Sequence, residues 1–223
     1  MIPLYDTLRS RRIPVVNWAL IGLNVLVFLY ELSLSSSALE GLIRMWGLIP
    51  TQFFAHPETE WIRIFTAMFL HGGWFHIVSN MWVLFIFGDN IEDRLGGGRY
   101  LIFYLLSGIA AALLESFLLK GGGAPMIGAS GAIAGVLGAY LISFPRARVA
   151  SLVPIFFIFT IIEIPATIFL LFWFISQLFS GFLALEGSSG GSGIAWWAHV
   201  GGFVFGMLAV NLFAQRRTYY YQQ

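Results

Sequence analysis

Two residues in the second half of the chain have the type and setting that acyl transfer needs. Ser130 sits in the run Gly128-Ala129-Ser130-Gly131, and His199 in Ala198-His199-Val200-Gly201-Gly202. A neutral histidine takes the proton from a serine hydroxyl as it attacks a carbonyl and later returns it to the leaving amine. The oxyanion formed on the way needs hydrogen-bond donors. His76 and Asn80, at i and i+4 and so on one helix face, are candidates, as is the backbone N–H of Ser130. One such donor is typically worth about 3 to 4 kcal/mol of barrier. Glu115 and Glu163 are assigned to other ends or depths, so the pattern predicts a Ser130–His199 dyad without a carboxylate, active while His199 is neutral. The chain has no cysteine, which excludes a thiol nucleophile and a Cys-ligated metal. No metal or cofactor is implied.

These polar residues must be held by an apolar scaffold. Of 223 residues, 58% are hydrophobic and 10% charged, and the net charge is +1. Soluble domains carry about 25% charged residues, so the composition points to a membrane, and it offers no basic block for nucleic acid. Six apolar runs approach the roughly 20 residues that cross a hydrocarbon core of about 30 Å: Val15–Leu34, Phe75–Ile91, Tyr100–Leu119, Ala129–Phe144, Pro165–Leu185 and Trp196–Ala214. The expected fold is an all-α polytopic membrane protein with six transmembrane helices and an interfacial first outer loop. Trp46, Trp61 and the short run Trp61–Leu70 belong to that loop. Pro154 and Pro165 interrupt the long apolar stretch before the fifth run, so Ser151–Ile164 reads as irregular or interfacial.

Six spans with a cytoplasmic N-terminus place nine of the basic residues inside and Arg44, Arg63 and Lys120 outside, the asymmetry that fixes orientation. This predicts a cytoplasmic arm over residues 1–14, a membrane domain over 15–214 and a short cytoplasmic tail over 215–223, in the plasma (inner) membrane. The segment Gly187–Gly193 reads as a flexible outer loop. Glu92 and Arg94 are placed at an inner turn, Asn17 and Asn24 between helices, and Trp196 and Trp197 at the interface.

Depth then decides which polar residues can meet. At about 1.5 Å of rise per residue, His76, Asn80, Ser130 and His199 all fall in one layer in the outer third of the core. The fourth run spans only about 24 Å, so with its inner end pinned by Arg146 and Arg148 its outer end is submerged, and Ser130 stands at a buried helix N-terminus facing a wet pocket. Gly131 with Gly135, and Gly202 with Gly206, are Gly-x-x-x-Gly pairs that let two helices approach closely enough for Ser130 to reach His199.

Together these residues resemble the rhomboid intramembrane serine proteases. The likeness rests on the six runs, the long first outer loop, His71-x-x-x-x-His76-x-x-x-Asn80, Glu92-x-Arg94-x-Gly96, Gly128-Ala129-Ser130-Gly131 and Ala198-His199-Val200-Gly201-Gly202. The resemblance implies a rhomboid-like bundle, a Ser130 nucleophile, a His199 base, and His76 with Asn80 on the oxyanion side. It implies transmembrane protein substrates, cut near the outer end, in a membrane-lipid setting. Arg63 resembles the arginine of the family's outer-loop Trp-Arg motif, although Ile62 separates it from Trp61. Where some members carry an aromatic four residues after the serine, this chain has Ala134, so the orientation of His199 must rely on other neighbours. His71 reads as structural. The alternatives are a catalytically silent rhomboid-like binding protein and a transporter with a polar, glycine-rich cavity. Oligomeric state is not legible.

Overall fold

In the computed structural model, which describes residues 1–155, 158–186 and 194–215, the chain order is β1 (Ile2–Asp6), α1 (Val15–Leu32), α2 (Ser36–Trp46), α3 (Pro50–Ala55), α4 (Pro57–Glu60), α5 (Arg63–Thr66), a 3-10 turn (Ala67–Phe69), α6 (Trp74–Leu95), α7 (Gly97–Leu118), α8 (Ser130–Ser143), β2 (Arg148–Ile155), β3 (Ile158–Pro165), α9 (Ala166–Glu186) and α10 (Trp196–Phe213). Helices α1, α7, α9 and α10 are long and apolar enough to cross a membrane, and a fifth span arises if α6 is counted with the segment Arg63–Phe69, from which it is bent by 95°. The chain is therefore a mostly helical, multi-pass membrane protein. The expected outer-loop run Trp61–Leu70 folds into the short turns of α5 and the 3-10 segment. The predicted loop Gly187–Gly193 and most of the predicted tail lie outside the described residues.

Helix α8 sits at the centre because its side chains are small. Every residue from Gly131 to Leu141 is buried, as expected of a helix that is apolar on all faces. Gly131 and Gly135 turn toward Ala111 and Ser107 of α7, while Gly202 and Gly206 of α10 lie on the carbonyls of Gly131 and Gly135. A side chain at either α10 position would overlap backbone. The predicted glycine pairs thus meet each other, and α8 and α10 pack with their backbones in contact.

The start of α1 is tied to the end of α6. Glu92 accepts the N–H groups of Val16 (3.1 Å) and Asn17 (2.7 Å), pairing two of the donors that a helix N-terminus leaves free. Asn17 bonds across helices: its Nδ2 donates to the Leu84 carbonyl and its Oδ1 accepts from Tyr100. Among the described residues Asn24 makes no such bond, and its Nδ2 turns back to the Leu20 carbonyl of its own helix at 2.8 Å. Arg94 donates to Asn211 of α10.

The all-α expectation and the irregular reading of Ser151–Ile164 both need correction. Strands β2 and β3 form an antiparallel hairpin, in register from Arg148↔Pro165 to Ile155↔Ile158, and β1 adds antiparallel to the other side of β2. The β-branched and aromatic run suits strands, and the prolines are tolerated by position. Pro154 lies past the end of β1, and Pro165 ends an edge strand. The predicted polar arm 1–14 is thus partly a strand. It stands beside α6 and not below it: Trp82 Nε1 donates to the Pro3 carbonyl (2.6 Å), and Asn90 Nδ2 to Asp6 (2.9 Å), eight residues further along α6.

The carboxyl of Asp6 also accepts from the Tyr140 hydroxyl of α8. Burial pushes this carboxyl up to about 6, against the lowering effect of the Tyr140 bond. A carboxyl whose folded value lies above its unfolded one favours the folded state most when it is protonated. That contribution is complete below the unfolded value and is lost as pH rises through about 6. Thermal unfolding of the wild type is expected to become easier between pH 5 and 7 relative to Asp6→Asn, and parallel pH profiles for the two proteins would contradict this assignment.

Candidate active site

The site is assembled from three helices that start at nearby levels. Ser130 is the first residue of α8, and the chain before it is set by Gly128, whose φ of +121° suits glycine and whose N–H donates to the Ala67 carbonyl at 2.8 Å. A side chain at Gly128 would run into the His76 ring. His199 lies in the first turn of α10, whose entry is fixed from below: Glu115 of α7 accepts the Ala198 N–H at 2.7 Å. Glu115 was assigned above to another end of the molecule. It instead lies beside the histidine, but it holds backbone and does not touch the ring.

Across the α8–α10 contact the Ser130 hydroxyl and Nε2 of His199 share a hydrogen bond of 2.8 Å. His199 is buried, 9% exposed. Its ring lies 5.9 Å from that of Trp173 on α9 at 34°, and 6.1 Å from that of Trp196 at 87°. Two tryptophan rings thus neighbour the imidazole. Nδ1 of His199 meets Oε1 of Gln177, also on α9, at 2.7 Å. Gln177 and Trp173 were missed in the sequence, although Gln177 is the one amide in the fifth apolar run and such residues default to a functional reading.

On the α6 side, the Gly72 N–H donates to Nδ1 of His76 at 3.3 Å. A neutral ring that accepts at Nδ1 carries its proton on Nε2, so Nε2–H is the group turned toward Gly128. Asn80 lies one turn along the same face, 7% exposed, and its buried Nδ2 has no partner among the described residues. Such an unpaired buried donor is costly. His71 is buried, donates its N–H to Glu31 at 3.1 Å and lies edge-on to His76 with ring centroids 5.0 Å apart.

Beside Ser130 opens a cavity of about 40 Å³, lined in part by Met68, Gly108, Ala111, Met126 and Gly131. It is roomy enough for water, which needs roughly 10 to 15 Å³, and its walls are small or flexible. Arg63, in the outer loop, pairs with Glu60 (2.9 Å) and donates to Gln52 (2.7 Å). It organises the loop around itself. Trp197 packs against Gly181 and Phe182 of α9.

A serine hydroxyl in hydrogen-bond contact with a buried imidazole, inside a multi-pass helical protein, defines a class: a membrane protein with a paired serine and histidine. Comparison with known sequences places it further. The Rhomboid domain profile matches residues 58–216, which is more than half of the chain, and the chain belongs to the rhomboid family. Among similar proteins, "Rhomboid protease GluP" of Bacillus subtilis is 36% identical over 129 residues, covering 57% of this chain and 24% of that protein. "Rhomboid protein 1, mitochondrial" of Saccharomyces cerevisiae is 30% identical over 138 residues, 59% of this chain and 37% of that one. "RHOMBOID-like protein 1" of Arabidopsis thaliana is 37% identical over 95 residues, 43% and 24%. The matches thus span about a quarter to two fifths of these relatives' lengths.

Proposed function

We propose that the chain is an intramembrane serine endopeptidase that hydrolyses a peptide bond near the outer end of a substrate's transmembrane segment. The observation that carries this reading is the 2.8 Å hydrogen bond between the Ser130 hydroxyl and His199 Nε2, inside a multi-pass helical protein. Ser130 is the nucleophile and His199 the general base. As the Ser130 Oγ–carbonyl bond forms, the hydroxyl proton passes to Nε2, and it then goes to the amine nitrogen as the C–N bond breaks. Water attacks the resulting ester, gives its proton to His199 and releases the acid, and Ser130 regains the proton. His76 Nε2–H, Asn80 Nδ2–H and the Ser130 N–H stabilise the oxyanion. No step calls on a cofactor.

The membrane domain comprises residues 15–214, and the reading assigns six spans, adding α6 and the short α8 to the four long helices. The arm 1–14 and tail 215–223 lie on the cytoplasmic side, with β1 of the arm packed along α6 from Asn90 to Trp82, and the membrane is the plasma (inner) membrane. Partners are transmembrane protein substrates and lipid. The relative named a protease supports the activity, and the cavity beside Ser130 supports a small side chain immediately before the cut.

A carbonyl inside a stable helix is covered, so the substrate must unwind before Ser130 can attack. Gly or Pro downstream of the cut lowers that cost by about 1 and 3 kcal/mol relative to Ala. Replacing such a residue with Leu in a cleaved single-span substrate is expected to slow cleavage by about 5-fold for a glycine and more for a proline. Products mapped by mass are expected to end near the outer face. Faster cleavage of the strengthened helix, or a cut near the cytoplasmic end, would contradict the reading.

A further inference from the structure

The ring of His199 has two nitrogens, and the reaction proposed above uses one. The other is held by a side chain whose own orientation is determined. Gln177 Nε2 donates to the Trp173 carbonyl (3.3 Å) and to Ser176 Oγ (2.9 Å), while the Ser176 hydroxyl donates to the same Trp173 carbonyl (2.5 Å). With both amide-nitrogen contacts made to acceptors, the oxygen is the end that faces the imidazole. An amide oxygen can only accept. Nδ1 at 2.7 Å therefore carries the proton, and in a neutral ring Nε2 is left with its lone pair toward the Ser130 hydroxyl.

We infer that Gln177 is a positioning residue that holds His199 in the tautomer and orientation in which Nε2 accepts from Ser130. This deepens the hydrolase reading and rests on it. The chemistry also explains the residue type. Gln177 is 6% exposed, and a carboxylate there would place an ion in a buried site at a large desolvation cost, whereas an amide supplies the acceptor without a charge. Trp173, one turn earlier on α9, sits against the same ring at 5.9 Å, so hydrogen bond and ring contact come from one helix face. Without the acceptor, the Nε2-protonated tautomer becomes available, and in that form the ring has no lone pair for Ser130.

The test combines three readouts on the full chain in detergent. Nitrogen NMR of the wild type, with the His199 signal identified from its loss in His199→Ala, is expected to show the Nδ1-protonated tautomer. Gln177→Met, of similar length but without an acceptor, is expected to lower kcat and the rate of labelling by a fluorophosphonate by roughly 10- to 100-fold, with KM within about twofold. An Nε2-protonated ring in the wild type overturns the inference without any variant. So does an unchanged labelling rate in Gln177→Met, or an effect on KM alone. A wild type that fails to label at all overturns the hydrolase reading itself, which keeps the two failures distinct.

Discussion

Ser130→Ala is expected to abolish cleavage of a single-span substrate, His199→Ala to abolish it equally, and the double variant to be no worse than either. The two side chains act through one hydrogen bond of 2.8 Å, so removing either removes the same step, and the losses do not add. A drop of at least about 10⁴-fold is expected, because nucleophile and general base fail together. The fold is expected to survive. Ser130 is small and sits at the first position of α8, and α10 is located by Gly202 and Gly206 against the α8 backbone and by Glu115 on its Ala198 N–H. Unfolding curves measured beside the cleavage rates separate the two effects. Substantial cleavage by Ser130→Ala would show that the nucleophile is another residue.

The second large effect is expected from a single methyl group. Gly206→Ala puts its Cβ onto the carbonyl of Gly135, and Gly202→Ala does the same to Gly131. These are backbone atoms of a buried helix, so relief requires moving α10 away from α8. Overpacking a well-fitted core costs about 1 to 3 kcal/mol, occasionally more, and the upper end is expected here because neither backbone can yield. The same displacement lengthens the Ser130–His199 bond, so activity is expected to fall even in the fraction that remains folded. Gly22→Ala is the control. Its Cβ would meet nothing within 4 Å on α1, and alanine is the better helix former by about 1 kcal/mol. Denaturation midpoints for the three variants check the contrast. A Gly206→Ala protein as stable and active as the wild type would contradict the close helix contact.

The part of the site that can be read from the sequence is the part encoded by helical arithmetic. Helical periodicity put His76 and Asn80 on one face, and Gly-x-x-x-Gly spacing brought Gly131 and Gly135 onto Gly202 and Gly206, at the end where Ser130 meets His199. The same arithmetic misplaced Glu115, because depth along α7 says nothing about how that helix leans toward the start of α10. Gln177 escaped for a related reason: its value lies in which neighbour it faces, and that depends on how α9 docks. Asn24 was read as a bridge between helices but satisfies its donor one turn back, a choice open to any helical asparagine. The hairpin was hidden by Pro154 and Pro165, which break strands only where a second partner strand needs their N–H. Its neighbour β1, 142 positions or more away in sequence, left no local signal.

The most direct measurement is to treat the purified wild-type protein with a fluorophosphonate and locate the adduct by mass spectrometry of its fragments. Phosphonylation requires a serine oxygen made nucleophilic by a neighbouring base, which the arrangement provides at Ser130. The account predicts a single adduct, on Ser130, that is absent from Ser130→Ala and lost or greatly slowed in His199→Ala. An adduct on another serine, or no adduct on a folded wild-type protein, would contradict it.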